Sequence, residues 1–148
     1  MSTLTHADIQ KIVTAALERG ERPNLNNTDL SGVNLSLTQL VRVDLINANL
    51  TDADLSGANL TFADFTDANL SEAHMVKTNL SGANLTNAYL SGADLFRADL
   101  IWADLRGADL SDAHLNEANL RAAKYNDKTC WPPDFDPSRA NAVHVDES

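Results

Sequence analysis

Asp54, His74, Asp94 and His114 recur at intervals of twenty residues and alternate carboxylate with imidazole. These side chains hold zinc and similar divalent ions, so the column is a candidate weak metal site or pH-sensitive patch. Asp52, Glu72 and Asp112 lie across the same corner of the repeat. Metal ligands must converge on a point, however, whereas side chains stacked on a flat wall diverge. A self-neutralising ladder that relieves repulsion within an acidic wall accounts for the same residues, and no metal ligand or cofactor is assigned. Other chemistry is thinner still. No Ser/His/Asp set assembles, no Gly-rich phosphate loop occurs, and Cys130, beside Trp131, reads as buried packing rather than a nucleophile. No catalytic residue and no enzyme are expected.

What positions these residues is a repeat. From Leu25 to Tyr125 every fifth residue is large and apolar, with Phe65 and Met75 standing in for leucine. Two residues before each centre comes a small one, Ala48 through Ala123, with Thr78 the exception. A period of five fits neither a helix nor a strand, so it predicts a repeat architecture. The centre and the small residue point inward and the other three positions outward. Gly32, Gly57, Gly82, Gly92 and Gly107 all lie two after a centre, as do Asn27, Asn47, Asp52, Asp67 and Asn87. Such residues tolerate positive φ, which predicts a type II turn every five residues. Four corners close a square coil of twenty residues, stacked on the next by backbone hydrogen bonds at about 4.8 Å. Leucine and alanine fill it, leaving no lumen.

Ala48-Asn49-Leu50-Thr51-Asp52 and Ala53-Asp54-Leu55-Ser56-Gly57 resemble the A(D/N)LXX signature of the pentapeptide-repeat family. The resemblance covers residues 23–125 and implies an all-β solenoid, a right-handed quadrilateral β-helix of about five coils, roughly 24 Å long. The tail from Tyr125 to Pro137 resembles the C-terminal segment of cyanobacterial members, with Pro133-Asp134 departing from the usual form.

The flanks read as caps on one domain: 1–22 an N-terminal capping helix, 23–125 the β-helix, 126–148 a C-terminal cap and tail. The helix spans 5–20, with Thr5 as N-cap, Ile9, Ile12, Val13, Ala16 and Leu17 on one face, and Gly20 as its stop. Its Ile9/Ile12/Val13/Leu17 side would cover the first coil, where Val33, Thr38 and Val43 provide bulk. Beyond residue 125 the period is lost. Tyr125, Trp131 and Phe135 would cover the last coil, Asp136-Pro137 opens a short helix through Ala142, and the final residues fray. Covering matters, because open solenoid ends invite polymerisation.

The chain has 148 residues and a net charge of −10, which excludes nucleic-acid phosphate and argues against anionic membranes as partners. A lone cysteine and no signal-like or spanning segment predict a cytoplasmic protein. Its outer surface has one unusual feature. Val41, Arg42, Phe62, Ile101 and Trp102 occupy outward positions of one corner, and Val76, Lys77, Phe96 and Arg97, with Leu37, those of the neighbouring face. Apolar residues rimmed by charge mark a partner site, and aromatics with arginine are the usual anchors. Rings lying flat over neighbouring ladders, or packed on the N-terminal helix or a second copy, would account for them structurally.

The expectation is a rigid, non-enzymatic rod, monomeric or weakly self-associating, that presents flat walls to an unknown protein partner. Resemblance to the family adds a rival, since some members mimic DNA and bind type II topoisomerases such as gyrase. Arg42, Lys77 and Arg97 interrupt the negative wall that such mimicry needs.

Overall fold

The architecture follows from where one pentad sends its backbone N–H groups. In residues 48–52, Ala48 N closes a turn on Leu45 O (3.1 Å) and Asn49 N donates back to Thr28 O (2.9 Å). Leu50 N and Asp52 N donate forward to Asn69 O (2.7 Å) and Ser71 O (3.1 Å). The remaining donor, Thr51 N, goes to Asn49 Oδ1 (3.1 Å). All five are satisfied, as buried or stacked backbone requires. The last bond is an Asx turn, which explains the Asp or Asn before most centres. It recurs at Asp29, Asp54, Asn69, Asn84, Asp99 and Asp109.

The computed structural model describes residues 3–146. Parallel bridges join residues twenty apart: Asp54 to His74, His74 to Asp94, Asp94 to His114, and likewise on the other three sides. The stacking expected from the repeat is therefore present as single bridges rather than continuous strands. A period of five allows nothing longer, because two residues of every pentad are spent on a corner. Asn27 (φ 61), Gly32 (φ 69), Leu37 (φ 60) and their successors every five residues have positive φ, Asp112 excepted. With the i to i+3 bond, as from Val33 N to Leu30 O (3.2 Å), these are type II corners. The interior is a column of fully buried leucines with Phe65 and Met75, lined by alanines.

Helix α1 (His6–Glu18) begins at Thr5, whose Oγ1 accepts from Asp8 N while the Asp8 carboxylate accepts from Thr5 N. This capping box satisfies two end donors at once. Ile9, Val13 and Ala16 are buried and Ile12 packs beside them. Leu17, expected on that face, is 60% exposed. The stripe runs i, i+3, i+4, i+7 from Ile9, and the next residue has already rotated past its edge.

The C-terminal segment departs from expectation. The repeat does not stop at Tyr125 but slips by one residue. Asp109 bridges Cys130, an offset of twenty-one, and Leu110 N donates to Cys130 O (2.7 Å). The extra residue widens the 126–128 corner, which Asn126 Oδ1 ties together by accepting from Lys128 N and Gly107 N (both 3.1 Å). Thr129 becomes the buried small residue, Trp131 takes the centre position, and Cys130 points outward and is exposed. The expectation of a buried Cys130 is thus corrected. Trp131 packs between Tyr125 (edge-on, 5.5 Å) and Phe135 (stacked, 5.0 Å), and Trp131 and Phe135 are partly buried against the core. Residues 137–141 form turns, not a helix. Ser138 N on Asp136 Oδ1 makes another Asx turn, and Asn141 (φ 63) reverses the chain. The following residues do not fray: β2 (Val143–His144) pairs in parallel with β1 (Lys124–Tyr125), and His144 Nε2 meets Asp127 Oδ1 at 2.7 Å. Residues 147 and 148, part of the tail expected to fray, lie outside the described residues.

Candidate interaction wall

The i to i+20 register places Gln39, Asn59, Asn79, Asp99 and Asn119 on one wall. Its two edges are the corners at 36–37, 76–77 and 96–97 and at 41–42, 61–62 and 101–102. The apolar and basic residues singled out from the sequence therefore split into two clusters along the two edges of one wall. An amide ladder runs between them. Asn59 Nδ2 donates to Gln39 Oε1 (3.2 Å) within it.

On the first edge, Trp102 is 67% exposed and Phe62 49% exposed, and the Arg42 guanidinium sits 5.8 Å above the Phe62 ring. Arg42, Phe62, Gly82 and Asp64 line an open depression of about 280 Å³. Arg22, which the sequence reading passed over, reaches this corner from the N-terminal link. It pairs with Asp44 (2.8 Å) and extends toward Phe62 O (3.4 Å). Phe62 (φ 59) and Trp102 (φ 61) hold bulky side chains in the left-handed region, at a cost of about 1–2 kcal/mol each. Val41 is exposed and Ile101 half-buried.

On the second edge, Leu37 is 78% exposed and Lys77 and Arg97 are exposed. Arg97 lies 5.2 Å over the Phe96 ring and pairs with Glu117 (3.4 Å). Val76 and Phe96 are half-buried, and Phe96 leans toward Asp94, His114 and Asn116 around a shallow depression. Arg121, also missed in the sequence, adds an exposed cation beside Trp102 at the C-terminal end.

The Asp/His column occupies the next wall, its members joined as bridge partners. Asp54 Oδ1 and Asp94 Oδ1 accept from Ser56 N (3.0 Å) and Phe96 N (3.1 Å), so both carboxylates serve the backbone. Among the described residues no group of three or more His, Cys, Asp and Glu converges as a metal site would. His74 and His114 do depart from the local rule, since imidazole cannot form the Asx turn.

A family model described as pentapeptide repeats matches in 8 copies, over residues 24–61, 63–100 and 93–124. The chain belongs to the pentapeptide-repeat family. Members fold as right-handed quadrilateral β-helices, in keeping with the twenty-residue register seen here. Among solved structures, this pentapeptide-repeat protein is similar to three from cyanobacteria. HetL of Nostoc sp. strain PCC 7120, described as involved in heterocyst differentiation regulation, is 38% identical over 72% of this chain, with a TM-score of 0.60. The match takes in 53% of HetL, so this chain spans about half of that protein. Rfr23 of Cyanothece 51142 is 32% identical, with a TM-score of 0.65 over 80% of this chain and 99% of that one. The protein alr5209 of Nostoc PCC 7120 is 29% identical, with a TM-score of 0.61 over 98% and 99%. QnrB1, a plasmid-mediated fluoroquinolone resistance protein, shares the fold at 23% identity and a TM-score of 0.71, over 79% of this chain and 57% of that one. No curated protein matched.

Proposed function

We propose that this protein is a non-enzymatic interaction rod of about five right-handed coils. Residues 1–22 and 126–148 act as its end caps, and the wall between Trp102 and Arg97 engages a protein partner. The carrying observation is the exposure of Trp102 and Phe62 on strained corners of one edge, with Arg42 over the Phe62 ring. Aromatic residues gain nothing from water, and an exposed apolar cluster rimmed by cations is the composition of a binding hot spot. Packed leucine and alanine leave only outer walls for function. No described helix is long and apolar enough to cross a membrane. We place the protein in the cytoplasm as a monomer or weak homo-oligomer. The relative HetL, described as acting in regulation, is consistent with an interaction role.

The test is affinity capture from the native host with wild type, Trp102→Ala and Phe62→Ala. Partners common to all three in equal amount would remove the wall as the site.

The opposite side supports a second reading. Residues 26–32, 46–52, 66–72, 86–92 and 106–112 carry six carboxylates and one cation, Arg106. That acidity suits a duplex-like face for a topoisomerase. Unchanged gyrase supercoiling at micromolar protein would eliminate it.

A further inference from the structure

The wall that bears the aromatics is also the positive side of a negative molecule. Its five segments, 36–42, 56–62, 76–82, 96–102 and 116–122, contain four cations and two carboxylates. The chain as a whole carries −10, and the side half a coil away carries six carboxylates against one cation. One of the two carboxylates here, Glu117, is already paired with Arg97, and the other, Asp99, accepts from Ile101 N through Oδ1 (3.0 Å). The ladder adds to this polarity. Asn79 and Asn119 use Oδ1 to accept from Ser81 N (3.0 Å) and Arg121 N (3.1 Å). Each therefore offers its Nδ2 donor to the outside. Cations and apolar side chains along both edges, with amide donors between them, are complementary to carboxylates interspersed with apolar residues.

We infer that this wall binds an acidic protein segment bearing apolar side chains. Its carboxylates face Arg42, Lys77, Arg97 and Arg121, and its apolar groups rest on Phe62 and Trp102. The inference rests on the wall being a partner site and adds what the partner is made of. Such a segment is repelled by the opposite, acidic side of the rod, so the charge pattern favours this face over that one.

The test is direct titration of the full chain with a synthetic peptide alternating glutamate and leucine, followed by calorimetry and by the tryptophan fluorescence of a Trp131→Phe variant, which leaves Trp102 as the reporter. Comparators are a lysine–leucine peptide of equal length and a single-stranded oligothymidylate. Arg42→Glu and Arg97→Glu are mild substitutions, because Glu72 (φ 61) and Glu117 (φ 59) already occupy equivalent corners. Folding of each variant is confirmed by an unchanged denaturation midpoint. The expected result is acidic-peptide binding that weakens by roughly tenfold for each reversal and falls with added salt. Binding of the lysine–leucine peptide or of oligothymidylate as tightly as the acidic one overturns the inference. So does Trp102-dependent capture of a host partner without acidic-peptide binding, although the interaction wall itself then stands. Concentration-dependent self-association abolished by Arg42→Glu also overturns it, with a second copy's acidic side as the occupant. Loss of Trp102 dependence in every assay removes the wall and the inference together.

Discussion

Phe62 lies over Gly82: a Cβ added to that glycine would stand 2.5 Å from Phe62 Cε1. The same relation joins Leu37 with Gly57, Glu72 with Gly92 and Asn87 with Gly107. A side chain at a left-handed corner leans onto the same corner of the next coil. A glycine one coil later leaves the notch in which it rests.

Gly82→Ala therefore forces the Phe62 ring aside and adds backbone strain at φ 67, for an expected loss of about 1–3 kcal/mol. Adding Phe62→Ala to Gly82→Ala should recover part of it, leaving the backbone cost. A double-mutant cycle by urea denaturation measures the coupling, and strict additivity would disprove the notch.

Asn69 Oδ1 accepts from Ser71 N at 3.0 Å. Asn69→Ala orphans that donor and should cost about 0.5–1.5 kcal/mol. The denaturation midpoint should fall with the slope unchanged. Asn69→Asp, which keeps the acceptor, should cost less.

Thr78 stands where the repeat from Ala48 to Ala123 otherwise has alanine, fully buried, and its Oγ1 donates to Leu55 O (2.7 Å). Leu55 O also accepts from Ala58 N (3.0 Å), so losing the hydroxyl strands no acceptor. Thr78→Val keeps the volume and should change stability by less than about 1 kcal/mol. A loss of several kcal/mol in thermal or urea unfolding would contradict this account.

Asp104 is gripped by Arg106 through Nε (2.9 Å) and Nη2 (2.6 Å). Burial pushes its pKa up, but the hydrogen bonds from the Arg106 side chain and backbone, and the charges of Arg106 and Lys124, outweigh this and hold it below the ordinary carboxylate value. A lowered folded-state pKa favours the ionised form in the native protein. Its stabilisation is therefore present above the unfolded pKa and is lost as pH falls through the folded one. Partial exposure limits it to about 1 kcal/mol or less. Asp104→Asn should be slightly less stable at pH 7 and equal to wild type at strongly acid pH, as melting curves across that range would show.

The pentad pattern alone determined the coil, the buried leucines, the small residues beside them and the corner positions. Each depends on whether a side chain faces in or out and on which residues accept positive φ, and both are set within five residues. Thr5 was legible as an N-cap for the same local reason. The roles of Asp and Asn before each centre were visible as a signature but not as chemistry. They emerge only when three of the other N–H groups are seen to be used between coils and the fourth in the corner turn. Tertiary structure decided the remainder. One added residue in the 126–128 corner moved Cys130 to the surface and Trp131 to the centre position, partly buried against the core, because Leu110 had to find a partner in the next coil. The division of the aromatic and basic residues between two edges, and the positive wall they frame, likewise depend on neighbours twenty residues apart. Stacking, not local sequence, chooses those neighbours.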